Sequence, residues 1–387
     1  MADEEPLGKA DRDRLVRMGD AFERIDKVLF DLGLQGLQRM TPSSVSELKA
    51  LEQTAHNAGM VRVERQVETL ATHVQRYLEK DPLFTMEAYS TTLNRLWLLN
   101  NQTRRRHATG ATPDQLVDLL GEARRSYEEL PTPLTLQPLG AVGWVSDTDF
   151  VGVTVHFWAE GREGEPLQAS NCKPCMYFGK DPRQLLDESV NGTLSVTMRD
   201  LSHGAYELRR AKVSRDGRLS LHKDLVVSAA PYLGSRAYSA LSVPDWSTLV
   251  DRLRAGDVQP VEGAGGRHVF LEPARWGELH VDEKLQRASA ELGDARGASL
   301  TLEVPTRAEN NLLVDNLEAM LGTRKRKTGA LPDALFGRAT VSEGRLTFFP
   351  YTAIFNHAVV SSDRGRRRVN ELHLGLESLR GVTATER

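Results

Sequence analysis

The sequence predicts an α+β chain. An N-terminal antiparallel helical bundle comes first, then small mixed α/β modules on antiparallel sheets, with OB-like barrels as one form those sheets can take. Three observations carry this reading. Apolar residues recur every three or four positions through residues 1–130. The period falls to two at Val151, Val153, Val155 and Phe157, the mark of a half-buried strand. Between them stands Leu130-Pro-Thr-Pro133, whose two prolines break a helix and read as a linker. The expected divisions are 1–130, 135–240 and 241–387.

Leu15, Met18, Phe22, Ile25 and Leu29 share one helical face, and Gly33 and Gly36 stop or bend that helix. Thr41-Pro42 opens the next, with a capping hydroxyl followed by proline where its missing N–H costs nothing. Val63, Val67, Leu70, Val74 and Tyr77 make a third helix, and Leu93, Leu96 and Trp97 are the buried candidates of a fourth. Thr112-Pro113 caps a fifth that is expected to run to Tyr127. Further strands are expected at Thr193–Met198, Tyr206–Val213 and Leu219–Leu221, with Asp216-Gly217 supplying a tight turn. A helix is expected at Asp245–Arg254. His268–Leu271 and Leu300–Val304 suggest a strand pair, and Thr306-Arg-Ala-Glu309 reads as a capping box. The last strands are Gly337–Val341 and Arg345–Phe349. One echo runs through this half: A-K-V-S-R-D-G-R-L-S from Ala211 and A-T-V-S-E-G-R-L-T from Ala339. It fits two unrelated hairpins with shared turn chemistry, and equally duplicated β modules.

Composition narrows the function classes. With 387 residues, 40% hydrophobic and 27% charged, the chain matches an ordinary globular protein and not a disordered one. No run approaches the ~20 apolar residues of a membrane span. The acidic start, Met1-Ala-Asp-Glu-Glu-Pro, lacks an apolar signal core, and two cysteines make no disulfide framework, so a cytoplasmic location is expected. Net charge is -3, yet Gly322–Val369 carries +7 by itself. Charge so segregated bears on partners.

No catalytic motif appears: there is no P-loop, no G-x-S-x-G elbow and no H-E-x-x-H. The chain is therefore expected to be non-catalytic, without cofactor or metal, its ten histidines standing singly. Cys172-Lys-Pro-Cys175 is open to a dithiol redox reading, although it sits in an expected loop with the next helix only near Asp181. Three basic clusters stand out: Arg104, Arg105 and Arg106; Arg324, Lys325, Arg326 and Lys327; and Arg364, Arg366, Arg367 and Arg368. They fit phosphate contacts, with Tyr177, Phe178, Phe348, Phe349 and Tyr351 as stacking candidates. They fit as well an acidic protein partner, or arginines satisfying helix ends.

The segments Leu139-Gly-Ala-Val-Gly-Trp144, Phe150–Trp158, Phe178-Gly-Lys-Asp-Pro-Arg183, Leu208–Ser220 and Leu335–Pro350 resemble blocks of bacterial proteins associated with SWIM zinc fingers. The finger itself is absent, since Cys172 and Cys175 are the only cysteines where three and a histidine are needed. The resemblance implies a non-catalytic adaptor or scaffold working with a MoxR-type AAA+ ATPase and a von Willebrand A protein in a bacterial conflict or remodelling module. The alternative is nucleic-acid binding through the C-terminal basic stretch.

Overall fold

The computed structural model describes residues 8–384 except 83, 122–125, 147–148, 163–164, 191–195, 235–240, 256–265, 323–330, 343, 357 and 363–369. It is an α+β structure of two compact units, dividing between Arg125 and Ser126.

The first unit is helical: α1 (Lys9–Gln35), α2 (Pro42–Asn57), α3 (Val61–Leu78), α4 (Met86–Ala108) and α5 (Pro113–Leu120). Its core is the expected stripe, including Met18, Phe22, Ile25, Leu48, Val67, Leu70 and Leu96. Thr41 and Ser44 form a reciprocal capping box, as do Thr112 and Gln115. Trp97 departs from expectation, standing 53% exposed. Tyr127 does too: it lies in a strand, not in the fifth helix. Pro131-Thr-Pro133 is a turn within the second unit, because Leu130 N–H already bonds Ala211 O.

The second unit begins with β1 (Tyr127–Glu129), β2 (Leu134–Val145), β3 (Phe150–Ala159) and β4 (Leu167–Pro174). A short helix α6 (Cys175–Phe178) and α7 (Met198–His203) follow, then β5 (Tyr206–Arg209), β6 (Lys212–Ser214) and β7 (Val226–Ala229). The strand β2–β3–β4 meander is antiparallel and β5 returns beside β2, which is a Greek key. The ring closes through Arg218–Ser220: Leu219 pairs antiparallel with Val213 of β6, and Arg218 pairs parallel with Gln168 of β4. With β5 and β6 taken as one strand interrupted at Arg210-Ala211, five strands make this circuit, with helices between the third and fourth, as in an OB-like barrel.

After α8 (Leu249–Ala255) come β8 (Arg267–Leu271), β9 (Arg275–Trp276), β10 (His280–Asp282), β11 (Arg287–Gly293) and β12 (Ser299–Pro305). Then α9 (Asn311–Leu321), β13 (Ala334–Ser342), β14 (Arg345–Ile354), β15 (Ala358–Ser362), β16 (Glu371–His373) and β17 (Leu379–Ala384) complete the chain. The bent strand β8–β9 pairs with β13 on one side and β11 on the other. Strand β12 pairs antiparallel with β11 and parallel with β14, and β13 pairs with β14. This is the same circuit a second time, with α9 again between the third and fourth strands. The sequence echo marks one step of both barrels, for Val213 faces Leu219 and Val341 faces Leu346.

Several expectations are corrected here. Met198 opens a helix and is no part of a strand. His268–Leu271 and Leu300–Val304 do not pair with each other. Thr306–Glu309 leads into a 3-10 turn before α9, whose cap residue Asn310 makes no side-chain cap. Strand β3 is buried on both faces, with Thr154 and His156 at 7% and 3% exposure.

The barrels share a small core of Leu139, Phe270, Phe336, Tyr351 and Ile354. Strand β2 approaches β14 at Gly140, where an added Cβ would overlap Thr352 Oγ1 and lie 2.8 Å from the Phe336 ring. Beyond β16 the chain crosses back, and Leu376, fully buried, joins the core of the first barrel.

Candidate nucleic-acid interface and the barrel junction

Arg324, Lys325, Arg326 and Lys327, and Arg364, Arg366, Arg367 and Arg368, lie outside the described residues. Their attachment points are described. Asp333 N–H bonds Ile354 O at 2.8 Å, and Asn356 N–H bonds the Asp333 carboxylate at 2.7 Å. Phe355 N–H bonds Asn370 O at 2.7 Å. Asp333 and Asn370, which follow the two stretches in sequence, therefore both sit at Ile354–Asn356, the end of β14.

The third cluster behaves differently. Arg105 and Arg106 occupy the last turn of α4, where cations complement the helix dipole. Arg104 pairs with Asp26 of α1 at 3.1 Å. Beside that pair runs an apolar groove of about 700 Å³, lined by Phe30, Leu34 and Trp97. These three side chains are 66%, 69% and 53% exposed.

The five aromatic candidates do not form one groove. Phe348 is fully buried in the second barrel and Tyr351 is buried at the junction. Tyr177 is 75% exposed on α6, and the Lys173 ammonium lies 5.6 Å from the Phe178 ring. An aromatic that pattern reading missed is Trp144. Gly152 faces it across the strands, and a Cβ there would overlap the indole ring. The ring thus lies flat over β3, with Nε1–H bonded to Thr154 Oγ1 at 2.9 Å. The cross-strand pairing of a tryptophan with a glycine was the available signal.

Cys172 is exposed on β4 while Cys175 is buried at the first turn of α6, and both are free thiols. Helix α6 starts at the second cysteine, earlier than the sequence suggested, and is only 4 residues long.

The junction gathers histidines that stand far apart in sequence. His156 of β3 stacks on Tyr351 at 5.4 Å and meets His268 at 4.3 Å. Burial, then the nearby His268 and Arg338, push its pKa well below the ordinary 6.5. The folded protein thus refuses a proton that the unfolded chain accepts below pH 6.5. Stability should fall as pH drops through that value, by ~1.4 kcal/mol per pH unit for this group. Urea melts between pH 7 and 5 check this: His156→Gln should flatten the slope by one proton, and an unchanged slope would place the acid sensitivity elsewhere.

A second group comprises His203 of α7, His373 of β16 and Glu377 in the turn that follows. Glu377 Oε1 accepts from His203 Nε2 at 3.2 Å and from Arg199 at 3.1 Å, and Oε2 accepts from His373 N–H at 3.1 Å. Asn316 of α9 holds that turn, donating to Leu374 O and Glu377 O at 2.7 Å each and accepting from Leu379 N–H at 2.9 Å. Burial raises the Glu377 pKa, but the His203 hydrogen bond and neighbouring imidazoles outweigh it and hold it at about 2. Burial also lowers His203, and the Glu377 bond and charge more than reverse this, raising it overall. Burial and the adjacent His203 lower His373 to about 3. Pattern reading treated these histidines singly, since 170 positions separate two of them.

No protein-family model matches the chain, and no curated protein does. Among solved structures, a chain of the replication protein A heterotrimer bound to ssDNA is similar, with a TM-score of 0.28 and 12% identity. The match covers 56% of this chain and 47% of that one. Among the described residues no helix is long and apolar enough to cross a membrane.

Proposed function

We propose that the chain binds single-stranded nucleic acid across its paired barrels. One observation carries the reading: Asp333 and Asn370, the described residues that follow the two basic stretches in sequence, are both bonded at the same end of β14. Flat Trp144 and exposed Tyr177 on the first barrel offer the sequence-tolerant stacking that such binding uses. Anisotropy titrations with a labelled oligonucleotide at several salt concentrations test this. Affinity should fall linearly in log[salt], by ~0.7 per phosphate contacted. Changing Arg366, Arg367 and Arg368 to Glu should cut that slope by ~2 or abolish binding. Binding that ignores salt, or survives the triple change intact, would refute the proposal.

A second reading has its own support. The groove of Phe30, Leu34 and Trp97 fits a protein partner, as an adaptor of a MoxR-type ATPase with a von Willebrand A protein requires. Under that reading Trp97→Ala should weaken binding to the purified ATPase and leave oligonucleotide binding unchanged.

A further inference from the structure

We propose that His203, His373 and Glu377 hold a divalent transition ion of the zinc class, clamping the two barrels together. The donor set spans the junction: His203 comes from the helix inside the first barrel's circuit, His373 and Glu377 from the segment after the second. Their donor atoms lie within 4.8 Å of one another. Two imidazoles and a carboxylate suit zinc or cobalt, whereas magnesium and calcium prefer oxygen alone.

Three details favour a ligand over a merely closed ion-pair network. First, His373 is fully buried and its Nε2 makes no well-formed hydrogen bond, the Ser202 backbone being a weak partner of the ring. So weakly satisfied a nitrogen stands out at a place where polar groups are normally paired. Second, His373 Nδ1 is engaged by Thr352 Oγ1 at 3.0 Å, the outer contact that orients a metal-bound imidazole and leaves its other nitrogen free. Third, the spacing is close to that required. Ligand atoms around a four-coordinate zinc with bonds of ~2.0–2.1 Å sit ~3.3 Å apart. His203 Nε2 and Glu377 Oε1 are already at 3.2 Å. The His373 ring stacks on His203 at 4.4 Å and offers its donor within 4.8 Å of both, so that a small shift of the ring and one water would complete the four positions.

The rival cation is Arg199. Its Nε and Nη2 grip Asp187 at 2.5 and 3.1 Å, and only Nη1 reaches Glu377. An arriving ion displaces that single contact and leaves the Asp187 pair in place. No covalent or redox step is involved, and the clamp stands apart from the nucleic-acid reading.

The experiment uses the full chain stripped with a chelator and titrated with Co²⁺, then Zn²⁺. One equivalent of Co²⁺ should give the visible absorption of a four-coordinate N,O site, and Zn²⁺ should displace it and raise Tm. His203→Gln and His373→Gln should each weaken Zn²⁺ binding by roughly 100-fold or more, beyond the effect of losing an outer contact. Because a buried variant can fail to fold, imidazole nitrogen NMR of the unaltered chain gives a second readout, with two rings shifting on Zn²⁺ addition. A six-coordinate Co²⁺ spectrum, unshifted rings, or affinity that survives both substitutions would overturn the site.

Discussion

Replacing Glu377 by Ala should cost about 3–5 kcal/mol in metal-free protein, the loss expected when one partner of a buried ion pair is removed. The carboxylate is only 4% exposed and accepts from His203, Arg199 and the His373 backbone. Deleting it removes one of the Arg199 contacts and strips His203 of its acceptor while both stay largely out of water. Glu377→Gln should recover part of the loss, since an amide oxygen still accepts but carries no charge. Equilibrium urea unfolding decides the matter. Near-equal stability of the Ala variant would mean that the network contributes nothing net, as happens where desolvation cancels attraction.

Gly140→Ala should cost about 3 kcal/mol, at the upper end of the penalty for overpacking a tight core. The new methyl would overlap Thr352 Oγ1 and press on Phe336 at 2.8 Å. Thr352 cannot simply turn aside, because Oγ1 accepts from Ala141 N–H at 3.3 Å and contacts His373 Nδ1 at 3.0 Å. A double variant, Gly140→Ala with Thr352→Ala, should regain stability relative to the sum of the two changes. Gly161→Ala is the contrasting case, having no atom within 4 Å of the added methyl, so only its positive φ of 75° opposes the change. If both single variants melt alike, close approach is not what Gly140 provides.

How far the sequence could be read varies with the range of the interaction. The helical core was legible because Met18, Phe22, Ile25 and Val67 report on neighbours one turn away. The hairpin turns were legible because Asp216-Gly217 dictates its own geometry. Trp97 misled because a groove-lining aromatic keeps the same spacing as a core one. Strand β3 misled differently: His156 and Thr154 look like a wet face until the second barrel covers the first and Trp144 the other. Strand β11 went unread, its Ala-Ser-Ala run lacking the bulky alternation that marks strands. The histidine groups were out of reach, since they depend on β16 and α7 meeting across the junction. Of the basic stretches, the charge was plain in the sequence, while the meeting of Asp333 and Asn370 at one end of β14 needed the structure.

The return of Leu376 into the first barrel has a consequence for how the protein is made. A ribosome delivers residues in order, so strands β2 to β6 emerge long before the leucine that completes their interior. Until synthesis reaches Leu376, the early barrel carries an unfilled apolar socket next to Gly143 and Pro182. Nascent chains that stall after the fourth strand of the second barrel would hold both rings nearly drawn, yet neither locked. A late segment of the chain thus acts as the latch on an earlier one.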